Sequence, residues 1–253
     1  MTLAILLAVS VCHTQIVVAE REGTPSKAPQ LPAEPRHSLS LDPDQVLPRL
    51  LSTDAAIRSA AFRSLGMEYI ADWTPTDVRI LAVNLDADDE LERVVTARSG
   101  TNAEAVALDR QEGAWWSVGQ WACCGPRATY IEPFLEVRQL VWHGTNDIIV
   151  HAGGATGTGV GEQRLSAYRL WNGTLYKVLD ILEWAYNWSE SEQASVEYPV
   201  MEDMDSSKPR IITVRRVKGQ GRRSRVVCER YQWDAKGFLF RPLPAGRGGC
   251  LVR

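Results

Sequence analysis

The apolar residues fall into two textures that change at Pro75. Between Asp44 and Trp73 they recur at helical spacing. Leu47, Leu50 and Leu51 make a short stripe, Ser52-Thr53-Asp54 offers an N-cap, Ile57, Ala61 and Leu65 recur every four residues, and Gly66 offers a stop. Such spacing brings the apolar positions onto one helix face, so it predicts a short helical segment over 44–73 packed on the rest of the chain. After Pro75 the pattern becomes short β-rich runs separated by Gly, Asn and Asp turns.

These runs group into three units of four strands. The first comprises Val78–Val83, Arg93–Ala97, Glu104–Leu108 and Trp115–Gly119; the second Leu135–Trp142, Asp147–His151, Arg164–Trp171 and Thr174–Ile181; the third Ser195–Met201, Arg210–Val217, Ser224–Trp233 and Phe238–Arg241. Each unit has a β-branched second strand and a glycine turn before the fourth, at Gly113, Gly173 and Gly237. Four-stranded repeats are the texture of propeller blades, but three are fewer than a closed propeller normally needs. The expected fold is therefore mainly β: antiparallel, blade-like units over 75–253, partly propeller-like, with a β-sandwich as the alternative. Open sheet edges must be hidden, and the N-terminal helices are expected to cover one.

Composition adds a location. The first nineteen residues contain no Lys, Arg, Asp or Glu; Leu3 to Val11 are largely apolar, and Val17-Val18-Ala19 ends in small residues. That layout predicts a signal peptide over 1–19 cleaved before Glu20, with an N-terminal membrane anchor as the alternative. Residues 20–43, rich in Pro, Ser and charge, predict a disordered linker. The expected destination is secreted or periplasmic. A net charge of −3 gives no global field toward nucleic acid, which is not expected as a partner. Cys123, Cys124, Cys228 and Cys250 remain after the expected cleavage and are disulfide candidates, with three pairings open.

One stretch carries coordination chemistry. Asn84-Leu85-Asp86-Ala87-Asp88-Asp89-Glu90-Leu91-Glu92 places side-chain oxygens at relative positions 1, 3, 5 and 9, and the Glu90 carbonyl adds another candidate. A hard cation such as Ca²⁺ takes about six to eight oxygens from a curled loop. The alternative is a solvated acidic turn. This run, followed by Val94-Val95, resembles the FG-GAP or VCBS-type repeat, whose acidic turn precedes a β-strand. The resemblance covers residues 78–121. It implies a Ca²⁺ site on Asn84, Asp86, Asp88 and Glu92, and a binding or scaffolding role. The second unit has only Gly144-Thr145-Asn146-Asp147 at that turn, and the third has Asp203-Met204-Asp205-Ser206-Ser207.

Two further features are candidates for binding. Arg215, Arg216, Lys218, Arg222, Arg223 and Arg225 crowd one hairpin, suited to a peripheral contact with an anionic surface. Trp184, Tyr186 and Trp188 alternate as a possible platform for sugar or peptide, with core packing as the plainer role. No nucleophile elbow or His-Glu-x-x-His run is present. The expected function is an exported, non-enzymatic binding or scaffolding module, calcium-stabilised, for a protein or glycan in the envelope or outside the cell. The alternatives are an exported glycan or ester hydrolase with dispersed carboxylates and a structural envelope protein.

Overall fold

A computed structural model describes residues 37–39, 42–86, 88–123, 134–141, 144–156, 160–186, 191–198, 210–219 and 224–244. The expected signal peptide, most of the linker, Cys124 and Cys250 lie outside the described residues, and so does the pairing of the cysteines. Among the described residues, no helix is long and apolar enough to cross a membrane.

Among the described residues, three short helices follow His37–Ser38: α1 (Pro43–Leu50), α2 (Ala55–Ser64) and α3 (Glu68–Ala71). Asp42 caps α1 by accepting from the Asp44 amide, and Pro43 takes the first position, where its missing N–H costs nothing. Asp54 caps α2, with its carboxylate accepting from the amides of Ala56 and Ile57. Gly66, at φ +82, lets the chain reverse after α2.

The strands form two antiparallel sheets. The first has the order β1-β5-β4-β3-β2, built from β1 (His37–Ser38), β2 (Asp77–Val83), β3 (Glu92–Ser99), β4 (Asn102–Gln111) and β5 (Ala114–Cys123). The second has the order β13-β12-β11-β10-β9-β8-β7-β6. Its strands are β6 (Leu135–Arg138), β7 (Asp147–Thr156), β8 (Val160–Trp171), β9 (Thr174–Tyr186), β10 (Ser191–Glu197), β11 (Ile211–Lys218), β12 (Arg225–Asp234) and β13 (Leu239–Pro242). Strands β2–β5, β6–β9 and β10–β13 occupy the three groups expected from the sequence.

The grouping into separate blades needs correction. The second and third groups are one continuous sheet, joined where Ser191, Glu192 and Gln193 of β10 pair with Tyr186, Ala185 and Trp184 of β9. The connection between these strands is short enough for a hairpin, so adjacent strands pair instead of starting a new layer. Among the described residues neither sheet closes, and no propeller is formed. The helices do not cover an edge either. They lie on a face of the first sheet, where Leu50, Phe62, Leu65, Met67 and Ile70 pack with Val95, Ala97, Val106 and Leu108. Full burial of each large side chain is worth about 1.5–3 kcal/mol, more than edge coverage would bring these apolar stripes. His37 and Ser38, within the expected linker, pair instead with Ser117 and Trp116 at the β5 edge.

The opposite face of the first sheet packs on the second. Val94, Ala103, Ala105, Ala107 and Val118 meet Leu135, Ile148, Val150, Leu170 and Leu175. Other residues of the second sheet, including Ile149, Leu165, Leu179 and Ile181, form a further core with Ala194, Ile212, Val214 and Phe240 from its other half. With both faces covered, β4 is buried from Asn102 to Asp109, and any charge placed there must find a partner.

Candidate metal centre

The β2–β3 turn is curled by its own side chains. Asp86 Oδ1 accepts from the Asp88 amide at 3.0 Å, and Asp88 Oδ1 accepts from the Glu90 amide at 2.8 Å. Asn84 Nδ2 donates to the Asp88 carbonyl at 3.2 Å. At the base of the turn, Glu92 accepts from the amide of Leu85, a residue buried between the sheets.

Asp109 joins this turn from the neighbouring strand. The antiparallel pair Arg93–Leu108 fixes the register, and one step beyond it Glu92 lies beside Asp109. Asp86, Asp88, Glu92 and Asp109 each offer a carboxylate oxygen, and the four lie within 4.8 Å of one another. Glu92 and Asp109 are 0% and 1% exposed. Glu92 Oε1, Asp109 Oδ1 and Asn84 Oδ1 are buried without a hydrogen-bond partner. Burial, reinforced by the charges of Asp86 and Asp109, pushes the Glu92 carboxyl up to about 7. Burial likewise raises Asp109 and Asp86 above the usual carboxylate range. Such a set of hard, anionic oxygens suits Ca²⁺, Mg²⁺ or Mn²⁺ better than a thiophilic metal.

Of the residues expected from the sequence, Asp86, Asp88 and Glu92 converge. Asn84 lies at the start of the same turn, and the Glu90 carboxylate faces Arg110 at 3.7 Å, outside the cluster. Asp109 was missing from the expectation. Its signal was present: the two-residue Gly100-Thr101 turn, with Ser99 paired to Asn102, determines which β4 residue meets Glu92.

The second unit answers the same electrostatic problem differently. Asp147 opens β7 as Glu92 opens β3, and its Oδ2 accepts from the Leu140 amide at 3.0 Å. In both units the donor lies seven residues before the acid. Asp147 also lies one step beyond the pair Ile148–Tyr168, beside Arg169. The guanidinium donates to Asp147 Oδ1 and Oδ2 at 2.7 and 3.0 Å, with both residues almost wholly buried. Where the first unit has an acid beside its buried acid, the second has a base.

The other expected binding residues have different surroundings. Arg216 is buried, holding Glu229 through two hydrogen bonds, the Leu182 carbonyl and Glu192; Lys218 also reaches Glu192. Those two cations are therefore engaged within the sheet, not presented to an anionic surface. Arg215 and Arg225 are exposed, and Arg222 and Arg223 lie outside the described residues. Trp184 donates to Gln163 Oε1 at 3.0 Å, so its indole is anchored inward; the Tyr186 side chain and Trp188 lie outside the described residues.

A second polar cluster was not anticipated. His151 Nδ1 meets Glu183 at 2.9 Å, and Nε2 meets Glu136 at 3.4 Å. Gln163 donates to Glu183, and Tyr198 donates to Glu136. Although burial opposes its charge, the two carboxylates raise His151 to about 9. Arg138 bonds Glu136 and lies over the Tyr198 ring at 4.8 Å.

Fold and turn together define a class: an open, two-sheet antiparallel β protein with a clustered oxygen site in a hairpin turn. Comparison with protein-family models, curated proteins and solved structures finds no match.

Proposed function

We propose that the chain is an exported, non-enzymatic binding or scaffolding module whose first unit is stiffened by a hard divalent cation, Ca²⁺ foremost. The observation that carries this reading is the pair of buried, unpartnered oxygens on Glu92 and Asp109. An uncompensated buried carboxylate is costly, and the second unit balances Asp147 with Arg169 at the matching position. A cation among Asp86, Asp88, Glu92 and Asp109 supplies the same compensation. Asn84 Oδ1 is a further oxygen close by in sequence.

The cation's role in this reading is structural. It draws the β2–β3 turn onto β4 and leaves the outer surface to meet a protein or glycan. The hydrolase alternative would look to Glu136 and Glu183, but both are engaged with the buried His151. Melting of the full chain in Ca²⁺, Mg²⁺ and chelator tests the proposal. The midpoint should rise with Ca²⁺, by an increment lost in Asp86→Ala. No shift at millimolar Ca²⁺ rejects the metal assignment.

A further inference from the structure

The acidic turn is joined directly to the other sheet. The Asn84 carbonyl accepts two hydrogen bonds from Asn146, one from its backbone amide at 2.8 Å and one from its side-chain Nδ2 at 2.9 Å. Asn146 lies between Thr145 and Asp147, both of which bond to the buried Arg169 guanidinium. On its other side, Asn84 shapes the acidic turn through Nδ2 and the Asp88 carbonyl. The next residue, Leu85, is packed in the core between the sheets and donates its amide to Glu92. Asn84-Leu85 therefore belongs at once to the candidate ion loop and to the junction of the sheets.

This arrangement has an energetic consequence. Without a cation, four carboxylates crowd one small volume, and their repulsion favours movement of the turn away from β4. Glu92 and Asp109 are held in their strands by pairing with Val83 and Trp116, so the turn carrying Asp86 and Asp88 is the part able to yield. Any such movement pulls on Asn84 and hence on its two bonds to Asn146. On the Asn146 side, the buried ion pair behind Asp147 resists displacement.

We propose that cation binding at the first turn governs the docking of the two sheets through the Asn84–Asn146 bridge. This rests on the cation reading above and extends it to regulation of the same site. Asn146 is not one of the four clustered carboxylates, and its amide and Nδ2 both bond the Asn84 carbonyl, so its effect on the ion is assigned to the bridge. Linkage makes the coupling reciprocal: the factor by which the ion tightens the bridge is the factor by which the bridge tightens ion binding.

The test is calorimetric titration of the full-length chain and Asn146→Ala with Ca²⁺, alongside hydrogen exchange in Ca²⁺ and in chelator. Removing the Nδ2 donor should weaken Ca²⁺ binding about two- to tenfold, the range expected for one hydrogen bond. In the unaltered chain, Ca²⁺ should slow exchange of the amides from Asn146 to Val150, and this effect should shrink in the variant. Equal affinities for the two proteins, or unchanged exchange over 146–150 in a chain that does bind Ca²⁺, overturns the coupling. Failure of the unaltered chain to bind Ca²⁺ overturns the cation reading itself, a separate and recognisable result. The exchange measurement on the unaltered chain decides the matter even if Asn146→Ala does not fold.

Discussion

Asp109→Asn should stabilise the protein in chelator and blunt its response to cation. The acidic oxygens lie within 4.8 Å of one another. Two unit charges at that separation repel by roughly 3 kcal/mol at an effective dielectric of about 20. At pH 8, above the value of about 7 to which burial raises it, Glu92 carries its charge beside Asp109. The asparagine oxygen can still accept from Gln111, as Asp109 does, while the new amide group can donate toward the orphaned Glu92 Oε1. For a domain of this size, the gain corresponds to a rise in midpoint on the order of 5–10 °C in chelator. Ligand at a hundredfold its Kd adds about 2.7 kcal/mol to a protein with an intact site. Losing one charged ligand should cut that increment by at least about half. Calorimetric scans at pH 8 in chelator and in millimolar Ca²⁺ read both quantities. A variant that melts lower than the parent in chelator would show that Asp109 is already compensated within the fold. One that keeps the full Ca²⁺ increment would remove Asp109 from the ligand set.

Other perturbations have signs fixed by the geometry. Arg169→Met leaves Asp147 buried without its partner and should cost about 3–5 kcal/mol in urea unfolding, whereas replacing both by apolar residues should recover most of the loss. His151 is raised from 6.5 to about 9, so its contribution is complete below about pH 6.5 and lost as pH rises through about 9. Stability should accordingly fall by about 3 kcal/mol more across that window in the parent than in His151→Gln; parallel curves would contradict the assignment. Gly153→Ala should prevent stable folding, because a Cβ would come 2.1 Å from the Glu162 carbonyl oxygen at φ +152; a soluble variant with unchanged near-ultraviolet circular dichroism would refute this.

Much of the fold is legible because strands write it in local signals. The alternation in β3, β7 and β11 places branched residues on two faces, and the hairpins after β4 and β8 use Glu112-Gly113 and Asn172-Gly173, all four at positive φ. The turn before β13 is less readable. There the positive φ falls on Phe238, not on Gly237, and the ring is held among Trp171, Tyr176 and Trp233. A bulky side chain in that backbone region depends on tertiary packing, which no local signal reports. The continuity of the eight-stranded sheet was hidden for a related reason: pairing of β9 with β10 looks the same in sequence whether they share one sheet or belong to successive blades. In the basic hairpin, charge counted along the chain does not report that Arg216 meets Glu229 and Glu192 across neighbouring strands. In the candidate centre, the loop acids were visible by spacing, but Asp109 required the β3–β4 register.

The fading of the acidic motif along the chain follows from how each unit closes its first turn. Glu92 and Asp147 both accept an amide seven residues earlier, and both are wholly buried. Closing a turn in this way places a carboxylate inside the protein, where a positive charge or a proton must neutralise it. A guanidinium carried on the next strand needs no further oxygens, and the second unit accordingly makes its turn with Gly144-Thr145-Asn146 and no acid before Asp147. On the cation reading, an ion drawn from solution must instead be surrounded, and Asp86, Asp88 and Asp109 accompany Glu92 to do so. On that reading, the length and acidity of the first turn go with Asp109 standing on β4 where the second unit has Arg169. On the cation reading, that difference leaves the second turn stable in any medium and makes the first answer to the ions around it.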